Sequence, residues 1–399
     1  MNVSLLEILR CPFCGGTLSV VSNEHLEATN DAVQNGILAC YCCTFPVVDG
    51  IPVLQLDHAT DAAMQALGRG QKEEALLAML ELDAEQYDAF RSYQARGATA
   101  TYSEGIALLN GDAEGTYFVY RFSDPTYLAS QAAVRVVGQA VQATRALDLC
   151  GGSGHLTRTL GQVADRVVLA DAGFGKLWLA QQITAPTCEP VCCDANNPLP
   201  FAADSFDLVV CSDAYHYIWS KRLLACEMMR LAGNAGTVLL PHVHNALGAN
   251  YSAGMPLLPA HYRSLFAHAR LLRESAIFSQ FIQGQPIDLS QSETDESLAD
   301  EAALVIVATQ KEQIFRQYEC FPAQTPHGEL HLNPLYRVTE DGAALHLELQ
   351  FPSEMYAEEY AAIRQYLPER LTLEKAELQT REEDLLQQFV LLDLPRGYC

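Results

Sequence analysis

The stretch Arg145-Ala146-Leu147-Asp148-Leu149-Cys150-Gly151-Gly152-Ser153-Gly154 constrains the fold most. Its apolar run reads as a buried strand, and its glycines read as a turn that opens a helix. A second apolar run, Val167-Val168-Leu169-Ala170, ends at the acid Asp171. A third, Pro190-Val191-Cys192-Cys193, precedes Asp194 and Ala195. Strand, glycine turn, helix, strand and acid make the layout of a nucleotide-binding βαβ unit. The glycines let backbone approach the ligand, and the acid takes a ribose hydroxyl.

The spacing departs from the dinucleotide fingerprint, which wants three glycines as G-x-G-x-x-G. Here the pattern is Asp148-x-Cys150-x-Gly152-x-Gly154, with an acid inside the strand end. That form resembles the first motif of the class I S-adenosylmethionine methyltransferases. The continuation is similar to them as well. Leu199-Pro200-Phe201 and Ser205-Phe206-Asp207-Leu208-Val209-Val210-Cys211 resemble their fourth strand. Met228 to Leu240 resembles their helix, glycine turn and fifth strand. Cys150 replaces the first motif glycine, as small residues do in some relatives, including the quinone-biosynthesis methyltransferases. The resemblance covers roughly residues 120 to 245.

It implies an α/β fold with a Rossmann-like seven-stranded methyltransferase sheet, and S-adenosylmethionine as cofactor. Gly152 and Gly154 would admit the cofactor's amino-acid and sugar portion. Asp171 would bind the ribose, and Asp194, with Ala195 beside it, the adenine amino group. Asp148 would order the glycine loop or bind the amino group through water. Asp213 and Ala214 would line the methyl-donor site. Arg121, in a segment that closes over the cofactor in such enzymes, would meet the methionine carboxylate.

The N-terminus carries a second resemblance. Cys11-Pro12-Phe13-Cys14-Gly15-Gly16 is a tight Cys-x-x-Cys turn, and Cys40-Tyr41-Cys42-Cys43 supplies a matching half. Two such knuckles on facing hairpins place four thiolates around zinc. The spacing between them fits a ribbon with an inserted helix near His25 to Gln34. Phe45 to Leu54 resembles the ending of the small zinc-ribbon protein that activates tRNA and release-factor methyltransferases. The expected ligands are Cys11, Cys14, Cys40 and Cys43, with Cys42 as the alternative to Cys43.

The domain reading follows. Residues 1–58 form the zinc-ribbon domain, 59–125 a helical connector or lid, 126–245 the methyltransferase core, and 246–399 an acceptor-side α+β extension. Asp124-Pro125-Thr126 reads as a helix start, with the helix running to about Val141. Leu304 to Ala308, His331 to Val338 and Ala344 to Leu349 read as strands. Ser353 to Tyr366 and Arg381 to Phe389 read as helices, and Asp288 to Glu301 as an exposed acidic loop.

Charge argues about partners. Lys plus Arg number 25 against 49 Asp plus Glu, a net of -24, and Arg10 is the one Lys or Arg among the first 58 residues. An enzyme acting on tRNA or DNA needs a positive footprint for phosphates, so no nucleic-acid partner is expected. The ribbon is expected to cover a sheet edge or to shape the acceptor pocket. No apolar run is long enough to span a bilayer, and the N-terminus lacks a signal-peptide pattern. Thirteen cysteines, an odd number with adjacent pairs, suit a reducing, cytoplasmic setting.

On the acceptor side, the candidates are Tyr215, His216, Tyr217, His242, His244 and the segment around Tyr251. His216 is the first candidate base, since histidine exchanges a proton near neutral pH. His242 and His244 alternate along a strand and share a face, where they line the pocket or hold a metal. The expected acceptor is a small molecule or biosynthetic intermediate, methylated by a monomer or homodimer. A protein acceptor is the rival: release-factor enzymes carry Asn-Pro-Pro-Tyr after the fourth strand, and this chain has Ser212-Asp213-Ala214-Tyr215. A non-catalytic binding or activator module is the second rival.

Overall fold

The computed structural model describes residues 1–110, 112–250, 254–319 and 327–399. The segment around Tyr251 therefore lies partly outside the described residues.

A seven-stranded sheet organises the chain. Its strands are β1 (Ala143–Leu149), β2 (Ala164–Asp171), β3 (Glu189–Cys192), β4 (Leu208–Val210), β5 (Thr237–His244), β6 (Ala269–Arg273) and β7 (Ala303–Thr309). Their order across the sheet is β6-β7-β5-β4-β1-β2-β3. The strands β1 to β5 run parallel, and β7 lies antiparallel to both β5 and β6. This is the Rossmann-like methyltransferase sheet. Order reverses between β1 and β4, so the strand ends there open a crevice for ligand.

Both faces of the sheet are covered, which is why its strands read as continuous apolar runs. Alternate residues of β7 divide between two cores: Val305 and Val307 pack on one face, Leu304 and Ile306 on the other. The first face is covered by the helix Pro125–Val141, the second by the helix Lys221–Ala232. Asp124 caps the first helix by accepting the Tyr127 amide at 2.6 Å, and Pro125 supplies its first turn. The sheet continues past residue 245, because β6 and β7 come from the region read as an extension. Between Leu289 and Ala302 no helix or strand forms, in keeping with an acidic loop.

The N-terminal unit pairs the strands Val33–Ala39 and Thr44–Val48 antiparallel. The inserted helix expected near His25 to Gln34 is not there. Glu27–Ala28 instead pairs back onto the strand at Val33–Asn35. The Thr29 hydroxyl oxygen accepts the Asp31 and Ala32 amides, which turns the chain, and the Asn35 side chain donates to Glu27 at 2.6 Å. These local side-chain bonds compete successfully with helix. The unit then docks on the β3 edge. Val53 bridges to Cys192, the Leu54 amide donates to the Cys192 carbonyl at 2.7 Å, and Leu9 bridges to Phe201. Leu9, Phe45 and Val47 share a core with Val168 and Val191.

Among the described residues, five α-helices and the short 3-10 helix Gly97–Thr99 follow between His58 and Val119. Beyond β7, the strands Tyr336–Asp341, Ala344–Leu349 and Arg370–Glu374 form a small antiparallel sheet, with the helix Glu354–Glu359 between the last two. Glu329–Leu332 pairs with Leu391–Leu394. Among the described residues, no helix is long and apolar enough to cross a membrane.

Candidate active site

At the strand ends lies a cavity of about 750 Å³. One end is the glycine turn after β1. Cys150, Gly152 and Gly154 have φ of 57°, 56° and 81°. Glycine adopts that left-handed region freely, whereas Cys150 does so against a steric penalty. A Cβ on Gly152 would stand 3.1 Å from the Phe118 ring, so the helical segment before β1 closes onto the turn. Asp171 holds the turn. One carboxylate oxygen accepts the Gly152 amide at 2.9 Å, and the other accepts the Gly173 amide at 2.8 Å. Each oxygen keeps a further lone pair for a ligand hydroxyl.

Asp148 is buried beneath the turn. Its Oδ2 accepts the Thr157 hydroxyl at 2.6 Å, and its Oδ1 has no partner. Burial pushes this carboxyl from the ordinary 3.8 up to about 7, against the Thr157 bond and with help from Asp171. An orphaned acceptor and a glycine cradle facing one cavity fit a ligand that carries a cationic amino group and a ribose, as S-adenosylmethionine does.

The other end is polar and titratable. Asp213, after β4, accepts the Tyr117 hydroxyl at 2.7 Å on Oδ2, and Arg121 lies 3.3 Å from the same oxygen. His242 Nδ1 stands 2.8 Å from Glu274, and its Nε2 stands 3.6 Å from Asp213 Oδ1. His244 Nε2 stands 3.8 Å from the same Oδ1. Burial works against a charged His242, but Glu274 and Asp213 outweigh it and raise the ring to about 9. Burial, then His242 and His216, lower His244 to about 3. A bulge between Leu240 and Val243 re-aims His242, whose φ is 51°. Tyr356, Glu359 and Tyr360 of the C-terminal region complete the wall.

Several sequence-predicted residues stand elsewhere. His216 is fully buried outside the cavity wall, stacked on His244 at 3.6 Å between ring centres, and among the described residues neither ring nitrogen has a partner. Burial lowers it to about 4. Tyr215 turns into the core and donates its hydroxyl to the Lys221 carbonyl at 2.6 Å. Arg121 lines the cavity, yet Asp124 at 3.0 Å and Asp213 already neutralise it, so it has little charge left for a carboxylate. Gly154, Asp194 and Ala195 lie outside the cavity wall, Gly154 facing Ala180, Thr184 and Ala185. Asp194 accepts from the Asn196 amide and from the Asn196 and Asn197 side chains. Tyr117, Glu274, Tyr356, Glu359 and Tyr360 carried no sequence signal of their own.

At the N-terminal unit, the sulfurs of Cys11, Cys14, Cys40 and Cys42 all lie within 4.8 Å of one another. Sγ separations are 3.8 Å for Cys11–Cys42, 3.8 Å for Cys14–Cys40 and 3.6 Å for Cys40–Cys42. Tetrahedral zinc with bonds near ~2.3 Å sets its sulfurs ~3.8 Å apart, so the four fit that ion. The fourth sulfur is that of Cys42, not the expected Cys43. The Cys43 amide donates to Cys40 Sγ at 3.2 Å, while its side chain packs against the apolar core.

Residues 146–236 match the methyltransferase domain family. No curated protein matches the chain. Three solved structures illustrate its likenesses. The YcgJ protein of Bacillus subtilis is 16% identical over 44% of this chain and 99% of its own, with a TM-score of 0.31. A SAM-dependent methyltransferase of Thermotoga maritima is 13% identical over 53% and 100%, with a TM-score of 0.36. A chain from the complex of the Haloferax volcanii Trm112 methyltransferase activator with a methyltransferase is 18% identical over 52% and 96%, also with a TM-score of 0.36. Strand order, glycine turn and family match converge: the chain carries a methyltransferase domain and is an S-adenosylmethionine-dependent methyltransferase.

Proposed function

We propose that the chain methylates a small molecule or biosynthetic intermediate, with a zinc-ribbon domain built into the same chain. One observation carries the reading: a single cavity joins the glycine turn to a wall of Asp213, His242, His244, Tyr356 and Tyr360. A cleft of that volume suits a small acceptor. S-adenosylmethionine supplies the methyl group. Asp171 would hold the ribose hydroxyls, and Gly152 would admit the backbone-hugging portion of the donor. Asp148 would receive the amino group, and its unpartnered oxygen supports that role.

Transfer needs the acceptor in line with the sulfonium methyl and water kept out. Phe118 over the turn and the aromatic wall supply the exclusion. The histidines that reach the cavity are His242 and His244 rather than His216. Neither is a strong base, since burial lowers His244 to about 3 and His242 already carries a proton between two carboxylates, so they would orient the acceptor, and a nitrogen or carbon acceptor would need no dedicated base. The ribbon's role is structural: it covers the β3 edge with four thiolates arranged for zinc.

The test is methyl transfer from donor tritiated on its methyl to fractions of cell extract. Label appearing in the low-molecular-weight fraction is expected. Label confined to protein would overturn the small-molecule reading and favour the protein-methyltransferase rival.

A further inference from the structure

We propose a divalent metal site at Asp213, His242 and His244, separate from the four thiolates. It would take a first-row ion that accepts mixed nitrogen and oxygen ligands, such as zinc, cobalt, iron or manganese. The geometry carries it. Asp213 Oδ1 faces both His242 Nε2 at 3.6 Å and His244 Nε2 at 3.8 Å. Those gaps are too long for hydrogen bonds, and all three donor atoms lie within 4.8 Å of one another. Bonds near ~2.1 Å would set such donors ~3.0–3.4 Å apart, so an ion would draw Asp213 and the two rings modestly inward.

The surroundings are those of a metal centre. His242 Nδ1 is 2.8 Å from Glu274, the carboxylate partner that keeps a proton on Nδ1 while the ion displaces the one on Nε2. The other Asp213 oxygen is fixed by the Tyr117 hydroxyl and Arg121, which leaves Oδ1 for the ion. His244 lies against His216 with rings 7° from parallel, and this stack fixes its plane. Among the described residues, both nitrogens of fully buried His216 and Nδ1 of His244 lack partners, as buried polar atoms rarely do. Asp213 and His242 both hold φ near 50° without being glycine, at 53° and 51°. Strain of that kind concentrates at functional sites. Two histidines and one carboxylate leave coordination positions open, and here all three residues line the cavity. A bound ion there would meet an oxygen acceptor. That consequence rests on the acceptor reading above, whereas ion binding does not.

Cobalt is the probe. The full-length chain carrying one equivalent of zinc on its thiolates is titrated with Co(II) and followed by visible and near-ultraviolet absorption. The expected result is ligand-field bands that saturate at one further equivalent, without a thiolate-to-cobalt charge-transfer band. Asp213→Asn and His244→Gln should each weaken that binding tenfold or more while circular dichroism and thermal unfolding stay those of a folded chain. Either variant suffices if the other fails to fold. No saturable bands in the wild-type chain, or bands unchanged in the folded variants, would overturn the site. Methylation activity plays no part in this readout, so failure of the acceptor reading would leave it standing.

Discussion

The glycine-turn end of the cavity comes from two neighbouring stretches, residues 148–156 and Asp171, and works largely through backbone. The histidine end draws Tyr117, Asp213, His242, His244, Glu274 and Tyr360 from segments spread over more than half the chain, and works through titratable side chains. The first end is a cradle whose shape follows from positive φ and from one carboxylate accepting two amides. The second is a charge cluster in which Asp213 touches Tyr117, Arg121 and two histidines at once. In the proposed reading, the methyl donor common to all such transfers would meet the cradle, and the variable acceptor would meet the cluster. Conserving one end while exchanging the other is how one fold serves many acceptors.

Substitutions can break or sharpen that contrast. The largest effect is expected from Cys11→Ser with Cys14→Ser. Metal binding and folding of small zinc modules are coupled, at apparent energies on the order of 10 kcal/mol. One zinc should be lost, and residues 1–56 should become protease-sensitive. Because Val53 and Leu54 bind the β3 edge near the glycine turn, donor affinity should fall while cobalt binding at Asp213 persists. Retained zinc and protease resistance would remove the ribbon assignment.

Asp171→Ala comes next. It would strip the proposed ribose contact and free the Gly152 and Gly173 amides, weakening donor binding by about 1.5–3 kcal/mol. Calorimetry should show this with no change in cobalt affinity. A loss at both ends would mean that the two halves are not separable.

Asp148 makes a pH prediction at the glycine-turn end. The folded chain keeps a proton on Asp148 up to about 7, whereas the unfolded chain releases it near 3.8. The folded state binds more protons in that window, so this group's contribution to stability falls as pH rises from about 4 through 7. Asp148→Asn should flatten that slope. It should gain about 1–2 kcal/mol at pH 8, part of the gain being offset by an amide without an acceptor. Urea unfolding at pH 5 and pH 8 measures it; equal slopes in both chains would contradict the burial argument.

The smallest effect belongs to Tyr215→Phe. It removes one hydrogen bond to the Lys221 carbonyl, worth about 1 kcal/mol of stability, and should leave turnover unchanged. A large loss of turnover without a stability change would restore Tyr215 to the acceptor site.

The same contrast explains what was legible in the sequence. Asp148, Gly152 and Asp171 stand together at the cavity because backbone conformation and contiguous spacing encode a cradle, whereas Gly154 faces Thr184 and Ala185 instead. The sheet was legible from the apolar runs of its strands. His242 and His244 were visible as a pair on β5, but their carboxylates were not, since Asp213 and Glu274 meet them only through the sheet order and the bulge. His216 misled because position after β4 does not reveal which way a ring turns; here apolar packing and the His244 stack drew it inward. Cys42 and Cys43 were adjacent in sequence, and only the turn at Cys40 decides which sulfur faces the others. The hairpin at Glu27–Ala28 was missed because its register rests on Asn35 and Thr29 side chains rather than on apolar periodicity.

The central claim is that the glycine turn and Asp171 hold the methyl donor. Calorimetric titration of the zinc-loaded chain and its Asp171→Ala variant with S-adenosylhomocysteine tests it most directly. One equivalent bound by the wild-type chain, with affinity reduced roughly 10- to 150-fold in the variant, is the predicted result. No binding by the wild-type chain, or equal affinity in both, would contradict it.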